Sequence, residues 1–168
     1  MEVGVVVVTR FFFGHPVRLG GAAVALVVAA GLAWYLGSPL FLRTYTSETL
    51  PAAAPAAVAP GVLAQGELRY VDSVHNGKGP VRIVELEGRR IVRFDGVAIT
   101  NAPDIHVYLS RETGGKWTES TSLYLGALRA TDGSFNYEVP AGMTVADYKS
   151  VVVWCRAFGV LITWADLT

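Results

Sequence analysis

The stretch Val81-Arg-Ile-Val-Glu-Leu-Glu-Gly-Arg-Arg-Ile-Val-Arg-Phe94 decides the fold of this chain. It contains two β-prone runs, Val81–Glu87 and Arg90–Phe94, joined across Glu87-Gly88-Arg89. Runs rich in valine and isoleucine on either side of a glycine-containing turn are typical of a β-hairpin. The stretch therefore predicts two antiparallel strands.

The same pattern continues on both sides of this hairpin, where short β-prone runs alternate with glycine, asparagine, aspartate and proline. The other runs are Leu68–Asp72, Val97–Thr100, Ile105–Ser110, Leu123–Arg129, Ser134–Val139, Val151–Ala157 and Val160–Trp164. Outside the N-terminal region no run has the periodicity of a long amphipathic helix. We therefore predict an all-β fold, an antiparallel β-sandwich or barrel-like domain of about 8–10 short strands.

An apolar segment near the N-terminus has a different character. Residues 19–42 carry no charged side chain. At about 1.5 Å per helical residue they span roughly 36 Å, which exceeds a hydrocarbon core of about 30 Å. Trp34 and Tyr35 are rings suited to a membrane interface. The segment predicts one transmembrane helix with the lipid bilayer as its partner.

A cleaved signal peptide is the alternative for this segment, because a cleavage site could lie in the Ala/Pro stretch after Thr49. The apolar region of a signal peptide is usually shorter, about 7–15 residues, so we favour an uncleaved anchor. Arg10 and Arg18 precede the segment and Arg43 follows it. This bias favours a cytoplasmic N-terminus and a cell-membrane protein with an extracytoplasmic C-terminal domain.

These features divide the chain into four parts. Residues 1–18 are a cytoplasmic or interfacial N-terminal segment, and 19–42 are the transmembrane anchor. Residues 43–65 form a Pro/Ala-rich linker, whose composition favours a semi-extended spacer. The β domain occupies 66–168.

Composition and motifs exclude several functions. Lysine plus arginine number 14 and aspartate plus glutamate number 14, so no net charge attracts nucleic acid. The chain has no CxxC, CxxCH, HExxH, GxSxG or GxxxxGK[ST] motif. An ordinary hydrolase or nucleotide-dependent enzyme is therefore not indicated, and whether the protein is an enzyme stays open.

Cys155 is the single cysteine of the chain, so it has no intramolecular disulfide partner. It could be a packed thiol, an intermolecular partner, a redox group or a ligand. Residues two apart in a strand share a face, and Val151, Val153 and Cys155 form an apolar set. The alternation predicts that Cys155 points into the core and that Arg156 points away from it.

Three polar residues are candidate cofactor-binding residues together with this thiol. Asp104 and His106 lie on the face opposite Ile105 and Val107, and Asp104 could orient the imidazole. The alternative is a solvated polar pair. His75 lies in a glycine-flanked turn, where it could instead cap local backbone groups. Imidazole nitrogens and a thiolate are ligands of soft metals and of haem, but their scattered positions identify no metal.

From Gly66 onward the chain resembles the DM-thirteen family of small extracytoplasmic domains, also described as electron-transfer domains and found beside DOMON domains. The segments that carry the resemblance are Gly66-Glu-Leu68, His75-x-x-x-Gly79, Arg90–Phe94, Ala102-Pro-Asp-Ile-His-Val-Tyr-Leu-Ser110, Leu125–Leu128, Gly133–Pro140, Tyr148–Cys155 and Phe158–Leu167. The last of them matches less well, because the family more often has an aromatic residue at Ile162 and glycine at Thr163.

The resemblance implies a redox role for Cys155, which matches a near-constant cysteine of the family. That role would be either as a bare thiol or as the holder of a prosthetic group such as haem. It also implies an unknown extracytoplasmic redox or binding partner.

Three functions therefore compete. We favour a membrane-tethered redox domain centred on Cys155. The alternative is a non-catalytic cell-surface binding or adhesion module in which the cysteine is core packing. A small enzyme that uses Asp104 and His106 ranks last.

Overall fold

The computed structural model describes residues 16–38, 42–51 and 61–168 of the chain. One α-helix, α1, spans Pro16–Gly37. The ten β-strands are β1 Tyr45–Ser47, β2 Gly61–Glu67, β3 Gly77–Lys78, β4 Pro80–Leu86, β5 Arg89–Ile99, β6 Ile105–Ser110, β7 Ser122–Ala127, β8 Asp132–Glu138, β9 Ser150–Cys155 and β10 Val160–Asp166. Short 3₁₀ turns cover Glu119–Thr121 and Val145–Asp147.

Helix α1 forms a unit by itself. Its stretch Leu19–Gly37 has a mean hydropathy of 2.0, and none of it is buried. The length and composition of this stretch allow it to cross a membrane. The predicted anchor over 19–42 ends beyond this helix, and 39–41 lie outside the described residues. Of the segment predicted over 1–18, residues 1–15 also lie outside them.

The remaining residues form two sheets, which confirms the predicted all-β, sandwich-like domain. The six-stranded sheet has the order β1-β8-β5-β4-β2, with β3 paired to β5, and the four-stranded sheet has the order β10-β9-β6-β7. All pairs are antiparallel except β1 with β8, which run parallel. The sheets meet at one side, where the backbones of Gln65 and Thr168 exchange hydrogen bonds of 2.9 and 3.0 Å.

The predicted hairpin is present as β4 and β5, in which Leu86 pairs with Arg89. The intervening residues Glu87 and Gly88 both have positive φ, 52° and 76°. Two-residue turns with this backbone match the twist of antiparallel strands. The turn therefore fixes the register that places Ile83, Val92 and Phe94 in the core.

One hydrophobic core fills the space between the sheets. Phe94 and Phe135 stack with their ring centroids 4.9 Å apart, and Tyr137 meets both rings edge-on. The four-stranded sheet contributes Val107, Val151, Val153 and Cys155, all without exposed surface. These rings and aliphatic side chains supply the apolar burial that stabilises a domain of this size.

The β domain begins earlier than residue 66. Leu42–Thr168 form one compact unit, in which β1 and the start of β2 lie within the range predicted as a linker. Thr44 and Thr131 exchange hydrogen bonds next to β1, including Thr131 Oγ1 to Thr44 O at 2.9 Å. Residues 52–60 of the predicted linker lie outside the described residues.

The departure from the family pattern in β10 coincides with a β-bulge. The register between β9 and β10 shifts between Leu161 and Thr163, so Ile162 is the extra residue. Thr163 is buried and its Oγ1 donates a hydrogen bond of 2.7 Å to the carbonyl oxygen of Arg69. Its side chain packs against the backbone of Gly77, where a Cβ would lie 2.7 Å from it.

Candidate functional site

Cys155 is the last residue of β9, where it pairs with Ile105 of β6 and Val160 of β10. Its side chain has no exposed surface. The Sγ atom donates a hydrogen bond of 2.9 Å to the carbonyl oxygen of Pro103. Only the protonated thiol can make this bond. The predicted inward orientation is confirmed, and the thiol is held as a donor inside the core.

This geometry does not fit a haem or metal ligand. A ligating sulfur needs open space on one side, whereas Cys155 is enclosed by the core and the Pro103 carbonyl. Both ring nitrogens of His106 already have partners in the domain. Within 16–38, 42–51 and 61–168 no three His, Cys, Asp or Glu side chains group closely enough to hold a metal ion.

His75 lies elsewhere in the domain, in the turn before β3. Its Nδ1 is 2.8 Å from Oδ2 of Asp72, and Oδ1 of Asp72 accepts the backbone N–H groups of Val74 and His75. The hydrogen bond with His75 lowers the pKa of Asp72 to about 2. His75 therefore stabilises a local turn, and its described contacts include neither His106 nor Cys155.

Asp104 and His106 do come together, on the outer face of the four-stranded sheet. His106 Nε2 is 2.6 Å from Oδ1 of Asp104, and its Nδ1 is 2.9 Å from the hydroxyl of Tyr124. The His106 side chain is only 9% exposed. Within the pair the imidazole is shielded, whereas the carboxylate of Asp104 remains exposed to solvent.

The positions of the protons in this network follow from the hydrogen-bonding chemistry of Asp104, His106 and Tyr124. An ionised carboxylate only accepts hydrogen bonds, so a neutral His106 carries its proton on Nε2 and directs it at Asp104. Nδ1 is then an acceptor, and the Tyr124 hydroxyl must donate to it. With His106 neutral, the phenolic proton of Tyr124 points at a free lone pair of a nearly buried base.

One turn connects the two faces of this sheet. The carbonyl of Pro103 accepts the Cys155 thiol on the inner side, and the carboxylate of Asp104 accepts His106 on the outer side. Asp104 has φ 58°, a left-handed conformation that is uncommon outside glycine. Its carbonyl accepts the backbone N–H of Arg156 at 3.0 Å, which holds the turn against the end of β9.

Aromatic side chains continue from Tyr124 across the outer face. We call this set the aromatic face: Tyr108, Trp117, Tyr124, Trp154 and Arg156. The Tyr108 and Trp117 rings stack 4.4 Å apart, and Trp117 meets Trp154 edge-on at 5.3 Å. The guanidinium of Arg156 lies 4.7 Å from the Tyr124 ring centroid, and its Nε donates to the Tyr108 hydroxyl at 2.7 Å. That hydrogen bond raises the pKa of Arg156.

A β-bulge places Tyr124 on this face. Tyr108 pairs with Tyr124 and Val107 pairs with Gly126, so Leu125 is the extra residue of β7. Without the bulge, strict alternation from Ala127, which pairs with His106, would turn Tyr124 to the other side. The bulge therefore creates the contact with His106.

An open cavity of about 470 Å³ lies beside the aromatic face. It is lined by Tyr108, Trp117, Glu119, Ser122, Tyr124 and Arg156. Ser122 Oγ is buried and has no hydrogen-bond partner in the described part of the chain. A cavity with aromatic walls, one cation and an unsatisfied hydroxyl could receive a flat, polar-edged group of a partner.

A larger cavity of about 530 Å³ lies away from every residue predicted as a site. Ile83, Arg90, Tyr148 and Lys149 are among the residues that line it. Arg90 Nε has no hydrogen bond there, although Oε2 of Glu85 is 3.6 Å from it. We favour the smaller cavity as the functional one, because it adjoins the hydrogen-bonded network.

Fold and site together define a two-sheet β domain whose small sheet holds a buried thiol on one face and a Tyr–His–Asp network on the other. Residues 69–167 match the model of the family described as Electron transfer DM13. The chain belongs to this family, as the sequence resemblance predicted. No curated protein and no solved structure matches the chain.

Proposed function

We propose that this protein is a membrane-anchored electron-transfer domain that works outside the cytoplasm. The observation that carries the proposal is the match of residues 69–167 to the electron-transfer family. Helix α1 supports the anchor, because Leu19–Gly37 are apolar and exposed over a length that can cross a bilayer. Arg10 and Arg18 precede the apolar stretch Leu19–Gly37 and Arg43 follows it, which supports an external β domain.

For Cys155 we propose a positioning role in this electron transfer. Its complete burial and its bond to Pro103 oppose direct thiol–disulfide exchange, which requires an accessible thiolate. By holding the carbonyl of Pro103, the thiol fixes the turn from which Asp104 reaches His106. The competing proposal, in which the thiol itself carries the electron, predicts a different result in the same experiment.

Topology is tested by a reporter enzyme fused after Thr168 that is active only outside the cytoplasm, with the protein produced in cells from the full chain. Activity outside supports the proposed orientation, and activity only in the cytoplasm overturns it. Carbonate extraction of the membranes then separates an anchored protein, which stays in the pellet, from a cleaved one, which is released.

Electron transfer is tested on the full chain in lipid nanodiscs, mixed with the outer-sphere one-electron oxidant hexachloroiridate in a stopped-flow instrument. We expect a rapid phase of oxidant consumption that free tyrosine and unfolded protein lack. Absence of that phase would overturn the electron-transfer proposal. Cys155→Ser, which keeps a hydrogen-bond donor, should retain the rapid phase. Its complete loss in Cys155→Ser would favour the thiol as the electron carrier.

A binding module is the second candidate, and the cavity on the aromatic face favours it. Aromatic rings beside an arginine are frequent at recognition surfaces. A binding role predicts that Trp117→Ala abolishes association with cell-envelope material while oxidation by hexachloroiridate is unchanged. An electron-transfer role predicts that Trp117→Ala does not separate association from oxidation, because the same rings surround the oxidisable network.

A further inference from the structure

We propose that Tyr124 is the group that undergoes reversible one-electron oxidation, with His106 as the acceptor of its phenolic proton. The inference rests on the proposed function, since it names the redox group within an electron-transfer domain. It assigns this role to a residue on the outer face of the small sheet, opposite the cysteine.

The first argument is the direction of the hydrogen bond. Oxidation of a phenol by one electron releases its proton, so the reaction is easier where a base already holds that proton. Nδ1 of His106 lies 2.9 Å from the Tyr124 hydroxyl. In the neutral imidazole that donates from Nε2 to Asp104, the lone pair of Nδ1 faces the phenol.

The step balances within the network and one partner. Tyr124 gives one electron to an outer-sphere acceptor, such as a ferric or cupric centre of a partner protein, which is reduced by one electron. The phenolic O–H bond breaks and the proton moves to Nδ1 of His106. The products are a neutral tyrosyl radical and an imidazolium. A one-electron donor reverses the step, and the proton returns to the phenolate oxygen as it forms.

The charges around the network favour this outcome. The imidazolium would form against the carboxylate of Asp104, at 2.6 Å from Nε2. Arg156 stands over the Tyr124 ring, so a second positive charge on the ring itself would be repelled. A neutral radical with its proton moved to His106 avoids that repulsion.

Tyr137 provides a comparison inside the same domain. Its hydroxyl is buried and donates to the carbonyl oxygen of Ala127 at 2.9 Å. A peptide carbonyl cannot take up the proton, and burial raises the pKa of Tyr137 far above that of a free tyrosine. A hydrogen-bonded hydroxyl is therefore common to Tyr124 and Tyr137. What distinguishes Tyr124 is that its acceptor is a titratable base.

Tyr124 also lies where an electron can leave the domain. Its side chain is 46% exposed and lines the smaller cavity. A partner's redox centre can approach the ring while His106 stays shielded from water. The stacked pair of Tyr108 and Trp117 next to it widens the surface of polarisable rings at that contact.

The test uses the full chain in nanodiscs, with hexachloroiridate as the oxidant and freeze-quenched electron paramagnetic resonance as the readout. We expect a tyrosyl radical whose spectrum narrows when the protein contains ring-deuterated tyrosine. Tyr124→Phe, which keeps the ring, should remove most of the signal. Tyr70→Phe is the matched control, because Tyr70 is 65% exposed and its hydroxyl bonds no described residue; it should leave the signal unchanged.

The role of the base is tested with two variants. His106→Gln should lower the yield of radical by at least about tenfold, since a positioned base contributes on the order of 10²–10⁴ to a proton-transfer step. Asp104→Asn keeps a hydrogen-bond acceptor on an exposed side chain and serves if His106→Gln fails to fold. It should shorten the radical's lifetime, because the imidazolium then lacks its counter-charge.

The outcomes separate this inference from the function on which it rests. If wild type shows no rapid oxidation, the electron-transfer proposal fails and this one fails with it. If rapid oxidation occurs and Tyr124→Phe retains the radical, only the assignment to Tyr124 is wrong. A tryptophan spectrum in place of a tyrosyl one would likewise overturn it.

Discussion

The thiol of Cys155 and the carbonyl oxygen of Pro103 are joined by a hydrogen bond of 2.9 Å inside the core. The bond connects the end of β9 to the turn that precedes β6, residues 52 positions apart in the chain. Asp104 follows Pro103 directly, and its carboxylate lies 2.6 Å from Nε2 of His106 on the outer face. We therefore expect the cysteine to influence the network of the outer face through this turn.

Replacement of Cys155 by alanine should destabilise the domain. The substitution removes a buried sulfur and leaves the Pro103 carbonyl without its donor, which together cost about 1–3 kcal/mol. Urea unfolding followed by circular dichroism measures the change. Cys155→Ser, which can still donate, should lose less than Cys155→Ala; a larger loss for serine would show that sulfur packing outweighs the hydrogen bond.

Thiol access gives an independent prediction. With no exposed surface, Cys155 should react with a maleimide reagent in the folded protein only as fast as the domain opens, and freely in urea. Mass spectrometry after timed labelling measures both rates. Rapid labelling of the folded protein would restore the accessible-thiol mechanism.

Acid should release the segment 42–51 from the β domain. Arg43 donates two hydrogen bonds of 2.7 Å to Asp132 and thereby lowers the pKa of Asp132. Burial raises the pKa of Glu48, but hydrogen bonds from Arg129 and Asn136 outweigh it and lower the pKa. A carboxyl group whose pKa is lowered in the folded state stabilises that state at pH values above its ordinary pKa, which is 3.8 for Asp132 and 4.5 for Glu48. This stabilisation is lost as the pH falls below those values.

Hydrogen exchange of β1 between pH 6 and pH 3 measures this release. As the pH is lowered, the amide protons of β1 should lose their protection before those of β5 and β9. Asp132→Asn should shift the loss of β1 protection to higher pH. Asp147→Asn is a suitable control, since the Asp147 carboxylate makes a weak surface contact of 3.8 Å with Arg111. Simultaneous loss of protection in all strands would contradict the prediction.

The contact between Gly77 and Thr163 predicts a strong energetic coupling. Gly77→Ala would place its Cβ 2.7 Å from the Thr163 side chain, and overpacking of this kind costs about 1–3 kcal/mol. In a Thr163→Gly background the same change should cost much less. A double-mutant cycle by thermal unfolding gives the coupling, and additive effects would show that the backbone relaxes instead.

Trp117 should hold the loop 111–121 on the sheet. Trp117→Ala removes the stack on Tyr108 and should cost at least about 1 kcal/mol, with faster proteolysis of the loop. Trp117→Phe should keep most of the stack. Phe158→Ala changes an exposed aromatic residue on another turn and should have little effect. Equal effects of Trp117→Ala and Phe158→Ala would refute the role of the stack.

Alternation and turn chemistry are sufficient to predict much of the fold. The hairpin at Gly88 and the inward face of Cys155 both follow from local sequence, because a strand has a fixed two-residue period. The outward face of His106 in β6 follows from the same period. These features depend on neighbours in the chain, and the structure confirms them.

Other features depend on contacts that the local pattern does not contain. Tyr124 reaches His106 only because of the bulge at Leu125, which breaks the period on which the prediction rests. The bond from Cys155 to Pro103 and the pairing of β1 with β8 join distant parts of the chain. Strand β1 has three residues and lies between the anchor and a Pro/Ala-rich stretch. In composition this part of the chain therefore resembles a linker.

The pairing of β1 with β8 limits where the anchor can be removed. A polypeptide that starts at residue 66 lacks β1 and most of β2, so β8 and β4 each present a row of free N–H and C=O groups. Such rows are templates for strand addition by other molecules. A version that starts at Leu42 retains both covering strands and should stay monodisperse, whereas the shorter one should self-associate.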